Sequence, residues 1–165
     1  MGQPLPDSSR GSTSLAASEE AKQAACCNGN TSNTSSVQHV FVYGNSRPDI
    51  SPPLSGEAVQ ARRAWLLGGR LYSCNSGGVS RPALRLEEAG HAVLGYTMSL
   101  GTSGNVGRLL DMFERREYSP DFYDREVVEV VTEGGERVQS YVYHCQEVDL
   151  SNPVHGGDWL QHVQH

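Results

Sequence analysis

Apolar residues are sparse and without period over the first 36 positions and then begin to cluster. Val37, Val40, Phe41, Val42 and Tyr43 form a short apolar run that stops at Gly44, the pattern of a buried strand closed by a turn. Residues 45–56 carry Pro48, Pro52 and Pro53 and predict a loop, because proline fixes φ and has no N–H to donate. Ala58–Ala64 predicts a short helix or turn. Trp65–Tyr72 predicts a strand with a bend at Gly68-Gly69, and Cys74–Pro82 a turn-rich connection. Leu84 and Leu86 suit a short strand, and His91–Leu100 a longer one.

The periodicity then changes. Val106, Leu109, Leu110 and Phe113 fall at i, i+3, i+4 and i+7, which places one apolar stripe on a helix. Ser103 is the expected N-cap, and the helix should stop near Glu117, ahead of Pro120. Glu126–Val131 and Val138–Val148 read as strands joined by a hairpin turn at residues 132–136, where Gly134 and Gly135 tolerate positive φ. Residues 149–165 read as mostly irregular. Many strands and one strong helix predict an α+β class.

Composition separates a tail from a domain. Residues 1–36 are dominated by Ser, Ala, Asn, Gln, Thr and Gly. Such a segment offers too little apolar surface to offset the entropy of ordering, so disorder is expected there. One domain is expected over 37–165. Its formal net charge is -6 for the whole chain, with a single lysine, Lys22. That argues against a nucleic-acid partner, which needs a basic face to neutralise phosphates. No window approaches the ~20 apolar residues of a membrane span. No secretory leader pattern is present at the N-terminus, so a cytoplasmic location and reduced Cys26, Cys27, Cys74 and Cys145 are expected. Gly2 is not followed by the Ser or Thr at position six that myristoylation favours, since Pro6 stands there.

Several segments carry candidate chemistry. Tyr43-Gly44-Asn45-Ser46 is either an ordinary strand-to-loop turn or a nest of backbone N–H groups able to hold an anion or carbonyl. Cys74-Asn75-Ser76-Gly77-Gly78 lacks the spacing of a phosphate-binding loop and reads as a turn. His144 and Cys145 project to opposite faces of a strand, and the C-terminal histidines lack tight ligand spacing, so no metal is expected. The helix carries Asp111, Glu114 and Glu117. Asp111 points away from the stripe, Glu114 flanks it, and Glu117 lies nearer its centre but at the frayed end. A carboxylate beside an apolar face is partly desolvated, which raises its pKa and improves it as a base. Spacing alone does not choose between a solvated helix acid and a catalytic one.

Taken in order, these segments resemble one family. Val40-Phe41-Val42-Tyr43-Gly44 resembles the opening strand and Y-G turn of the γ-glutamylcyclotransferase (AIG2-like) proteins. Gly69-Arg70-Leu71-Tyr72 resembles their G-x-L-Y strand. Pro82-Ala83-Leu84 and Val93-Leu94-Gly95-Tyr96 resemble their P-A and V-x-G-x segments. Leu110-Asp111-Met112-Phe113-Glu114 resembles their L-D-x-x-E helix, Tyr123-Asp124-Arg125 their Y-x-R, and Gly157-Asp158-Trp159 a G-D-W near the end. The likeness covers roughly Val37 to Trp159.

The resemblance implies a small mixed β-barrel with flanking helices. It also implies cyclisation of a γ-glutamyl amine or γ-glutamyl amino acid to 5-oxoproline, an acyl transfer in which the substrate's α-amine attacks its own γ-carbonyl. By the same resemblance Glu114 is the catalytic base, Tyr43, Gly44, Asn45 and Ser46 hold the glutamyl part, and Tyr123 lines the pocket. No metal or organic cofactor is implied, and the partner is a small γ-glutamyl compound. One departure stands out: the family pattern Y-G-[ST]-L becomes Tyr43-Gly44-Asn45-Ser46, with serine in place of leucine. A catalytically silent binding or regulatory module is the alternative that this change leaves open. Removal of residues 1–36 is expected to leave the melting temperature nearly unchanged, measured by thermal unfolding; a large drop would show that the tail docks on the domain.

Overall fold

Five of the seven strands close into a barrel. The computed structural model describes residues 36–51, 60–101, 105–145 and 147–164, together with Gly2. The strands are β1 (His39–Val42), β2 (Ala61–Leu67), β3 (Arg70–Ser76), β4 (Val79–Arg85), β5 (Ala92–Ser99), β6 (Tyr123–Thr132) and β7 (Arg137–Cys145), and the helices are α1 (Val106–Arg116) and α2 (Trp159–Val163). The barrel runs β1-β5-β2-β6-β7, and β3 and β4 form a separate two-stranded sheet. Closure comes from β1 lying parallel to β7 at Val40 and Tyr141, while the remaining barrel neighbours are antiparallel. The α+β mixed barrel expected from the sequence is the architecture observed.

The unbroken apolar run of β1 has a physical reason. Val40, Phe41 and Val42 are all essentially inaccessible, so both faces of this strand are covered and neither needs polar residues. The helix stripe is as the periodicity predicts. Val106, Leu110 and Phe113 are buried, join the barrel core, and leave Asp111 exposed. Among the described residues, no helix is long and apolar enough to cross a membrane.

Several sequence expectations need correction. Ala61–Ala64 belongs to β2 rather than to a helix or turn; Ala64 and Leu66 are buried while Arg62 and Arg63 are exposed. Trp65–Tyr72 is not one bent strand, because Gly68 at φ 77 separates β2 from β3 in different sheets. Cys74–Pro82 is a hairpin: β3 and β4 pair from Arg70–Arg85 to Ser76–Val79, and Gly77 and Gly78 both take positive φ, as a two-residue hairpin turn requires. Leu84 therefore sits inside a longer strand, and Leu86 lies beyond it. β6 begins three residues earlier than expected and β7 ends at Cys145. At the start of α1 the cap position is Asn105, without a side-chain cap bond; Ser103 lies outside the described residues. So do residues 52–59 of the first loop and, apart from Gly2 and Ser36, the expected tail.

The C-terminal segment departs most from its reading as irregular. His155–Gly157 forms a single tight turn and α2 follows. Gly157 takes φ 67, and a side chain there would collide with the Ala92 carbonyl of β5, so this glycine lets the segment press on the barrel. Asp158 then caps α2, accepting from the Leu160 N–H at 3.1 Å, and Trp159 is fully buried.

Asp158 also accepts from Arg47 Nη1 at 2.6 Å. Arg47 is only 2 % exposed, and it forks onto Asp49 through Nε at 2.9 Å and Nη2 at 2.6 Å. Its guanidinium lies over the Tyr96 ring at 5.5 Å. This cation therefore links the turn after β1, the β5 face and the cap of α2. The bonds from Arg47 hold the Asp49 carboxyl below the usual carboxylate range. A carboxylate with a depressed folded pKa contributes stability above its unfolded pKa and loses it as pH falls through the folded value.

Arg47→Met leaves Asp158 buried without its cation. Removing one partner of a buried pair costs about 3 kcal/mol or more, so the melting temperature should fall by roughly 10 °C at neutral pH. The loss should shrink in acid, where Asp49 is protonated in both states. A shift within about 2 °C at neutral pH in thermal unfolding would contradict the anchoring role.

Candidate functional site

The turn after β1 is built from buried groups that support one exposed residue. Tyr43 is fully buried, and its hydroxyl donates to the Tyr143 carbonyl of β7 at 2.5 Å. Gly44 packs so closely on Pro82 that a side chain would overlap the proline ring; its carbonyl accepts from the Arg47 N–H at 3.1 Å. Asn45 is exposed, but its Oδ1 accepts from Trp159 Nε1 at 3.0 Å. Ser46 is buried and its hydroxyl donates to Glu117 Oε2. The leucine missing from this position is thus replaced by a side chain that meets a carboxylate. Among the described residues, no hydrogen bond of the turn uses the N–H of Asn45 or Ser46 as donor.

The end of α1 supplies the facing wall. Glu117 occupies the C-cap position, and its N–H donates to the Phe113 carbonyl. Burial raises the Glu117 carboxyl above its ordinary value, with Arg116 opposing. Tyr118 follows, 4 % exposed. Its ring stacks on Tyr143 with centroids 4.7 Å apart and nearly parallel planes, and meets Tyr123 edge-on at 5.2 Å. Tyr43 lies 6.3 Å away on another side. Such offset and edge contacts each contribute about 0.5–1.5 kcal/mol beyond area burial. Burial pushes the Tyr118, Tyr123 and Tyr143 phenols well above their ordinary values, so all three stay neutral hydroxyls at physiological pH.

Two cavities share this aromatic wall. The first, about 230 Å³, is lined by Asn45, Arg81, Arg116, Glu117, Tyr118 and Tyr123, among others. The second, about 240 Å³, is lined by Glu114, Tyr118, Tyr123, Arg125 and Tyr143, with Pro120 and Asp124. In it Glu114 Oε1 accepts from Arg125 Nη1 at 2.8 Å and from the Tyr143 hydroxyl at 3.2 Å. Tyr118 and Tyr123 border both.

The residues read from sequence therefore divide. Asn45 and Tyr123 line the first cavity. Tyr43 and Gly44 do not line it but pack on residues that do, Tyr43 on Tyr118 and Gly44 on Pro82, and Ser46 reaches it through Glu117. Glu114 lies in the adjoining cavity, across the tyrosines from the turn. Sequence reasoning missed Glu117 as the acid nearest the turn, although its place near the centre of the apolar stripe was a signal. It also missed Tyr118, Arg116, Arg81 and the supporting pair Arg47 and Asp158. Among the described residues, no three of His, Cys, Asp and Glu gather as a metal site. Chemically, the first cavity offers the Glu117 carboxylate and the second those of Glu114 and Asp124, each beside neutral tyrosines, a set able to take up and return a proton without a cofactor.

Solved structures share the fold. An Arabidopsis thaliana protein solved in solution is 22% identical, with a TM-score of 0.54 and coverage of 74% of this chain and 78% of its own. An uncharacterized Homo sapiens protein is 19% identical, with a TM-score of 0.53 and 68% of each chain covered. A structure named gamma-glutamyl cyclotransferase is 16% identical, with a TM-score of 0.51 and 68% of each chain covered. No curated protein matches the sequence at a significant level. The model of the family described as "Gamma-glutamyl cyclotransferase, AIG2-like" matches residues 40–161, which spans the barrel, α1 and the start of α2. The chain belongs to the gamma-glutamyl cyclotransferase, AIG2-like family.

Proposed function

We propose that this protein is a γ-glutamyl cyclotransferase that converts a γ-glutamyl amine or γ-glutamyl amino acid to 5-oxoproline. The observation that carries the reading is the Glu114 carboxylate, in a chain of this family, set in a cavity beside the Tyr143 hydroxyl at 3.2 Å and the Tyr118 and Tyr123 rings. The substrate's α-ammonium gives a proton to Glu114. The freed amine nitrogen attacks the γ-carbonyl carbon, forming the lactam C–N bond. The original amide C–N bond breaks as Glu114 returns that proton to the leaving nitrogen, and the second proton lost by the ring nitrogen passes through the same carboxylate to the departing amine, which leaves as an ammonium. Attack is intramolecular, so the protein's task is to hold the folded conformer. Tyr143 and Arg125 orient the carboxylate. The N–H groups of Asn45 and Ser46 suit the charge that develops on the γ-carbonyl oxygen. The reaction needs no metal or organic cofactor, and it suits a cytoplasmic supply of γ-glutamyl compounds.

A second assignment of the base has its own support. Glu117 shares a cavity with Asn45, receives the Ser46 hydroxyl, and has the carboxyl that burial shifts upward, toward the range of a base near neutral pH.

Paired variants separate the two. Wild type should release 5-oxoproline from members of a panel of γ-glutamyl amines and γ-glutamyl amino acids. With Glu114 as the base, Glu114→Gln should lower kcat by about 10²-fold or more, with little change in melting temperature, and Glu117→Gln should stay within a few-fold of wild type. The reverse ranking would assign the base to Glu117. No 5-oxoproline from the folded wild type with any member would overturn the enzyme reading in favour of a binding module.

A further inference from the structure

A third cavity, about 430 Å³, opens beside the first. It is lined by Cys74, Arg81, Ala83, Phe122, Tyr123 and Cys145, with Asp121 and Glu147 completing its lining. Arg81 and Tyr123 border both this cavity and the one holding Asn45 and Glu117, and Tyr123 also borders the one holding Glu114. Tyr123 therefore borders all three spaces.

The chemistry changes across that boundary. Arg47, Arg62, Arg63, Arg85, Arg125 and Arg137 each have an acidic partner. Arg81, on the rim, makes no ion pair among the described residues, and it stands opposite Cys74 in the β3–β4 ladder. Beyond it the lining is mostly apolar. Ala83 is buried, Phe122 is 68 % exposed, and burial pushes the Cys145 thiol up to about 11. That thiol is neutral at physiological pH and serves as an apolar surface. Asp121 is held by hydrogen bonds with Ser119, and with Glu147 it adds negative charge to the lining. A cavity with one unpaired guanidinium at its mouth, apolar walls and carboxylates beyond selects a ligand with one anionic group next to an uncharged hydrocarbon part.

Resting on the cyclotransferase reading, we infer that the leaving group is an apolar α-amino acid, with its α-carboxylate on Arg81 and its side chain between Ala83, Phe122 and Tyr123. Arg81 is then the specificity-determining residue that separates γ-glutamyl amino acids from γ-glutamyl amines. A bidentate guanidinium–carboxylate contact is strong and geometrically demanding. Asp121 and Glu147 disfavour acidic side chains by like-charge repulsion.

The test compares γ-glutamyl-leucine, γ-glutamyl-glutamate and γ-glutamyl-3-methylbutylamine, which has the leucine skeleton without the carboxylate. Equilibrium binding is measured calorimetrically on the full chain carrying Glu114→Gln and Glu117→Gln, so the readout stands whether or not the wild type turns substrate over. Binding of γ-glutamyl-leucine should be about tenfold or more tighter than that of the other two. Adding Arg81→Gln should abolish the advantage over the amine and leave affinity for the amine within about twofold, while Arg81→Lys retains part of the advantage. Phe122→Ala should weaken γ-glutamyl-leucine several-fold and leave γ-glutamyl-glycine unchanged. Equal affinity for the leucine compound and its amine, an Arg81→Gln loss shared by both, or no binding of any of them would overturn the inference. Discrimination in binding with no 5-oxoproline from wild type would instead keep the Arg81 assignment and remove the cyclotransferase chemistry.

Discussion

A buried cation holds this site together. Arg47 lies on the turn that follows the most buried strand, and both of its acidic partners belong to loop or cap positions rather than to the barrel. Desolvating a guanidinium is costly, and the cost is recovered only when its hydrogen bonds are met with good geometry. Here the fork onto Asp49, the contact with Asp158 and the Tyr96 ring meet that condition. The arrangement has one consequence for architecture. The turn that leaves β1 is held at Arg47 by the C-terminal segment through Asp158.

That fixation reaches the cavities through short, direct contacts. Asp158 caps α2, which places Trp159 so that its indole donates to Asn45. Ser46, the next residue, is fixed by Glu117 from the other direction. The turn thus stands between a barrel-anchored tryptophan and a helix-terminal carboxylate. Among the described residues the Asn45 and Ser46 N–H groups make no hydrogen bond of their own, while the Arg47 N–H closes the turn onto the Gly44 carbonyl. Behind it, Tyr43, Tyr118 and Tyr143 form a packed aromatic floor. In the proposed reaction, donors preorganised in this way would need no reorientation as charge develops.

The elements with strong periodicity were legible in the sequence. β1, β5 and α1 declared themselves because burial on one stripe or both faces leaves a pattern that no loop imitates. The β3–β4 hairpin did not, since Arg70, Cys74, Asn75 and Arg81 interrupt any apolar alternation, and only the paired positive φ of Gly77 and Gly78 makes the ladder possible. The C-terminal segment hid for a different reason. Gly157, Asp158 and Trp159 act through contacts to residues more than a hundred positions earlier for Asp158 and Trp159, and no local pattern encodes a partner at that distance. The same limit applied at the site. Spacing brought Glu114 and Glu117 onto one side of α1, but their separation into different cavities depends on where Tyr118 and Tyr123 stack.

Amide hydrogen exchange across Gly44–Arg47, compared between wild type and Asp158→Ala, tests most directly whether the C-terminal segment holds the turn. The account predicts markedly faster exchange at Arg47, whose N–H is bonded to the Gly44 carbonyl at 3.1 Å, in the variant, with protection in the β6–β7 ladder unchanged. Equal exchange at the turn in the two proteins, from a variant that remains folded, would contradict it.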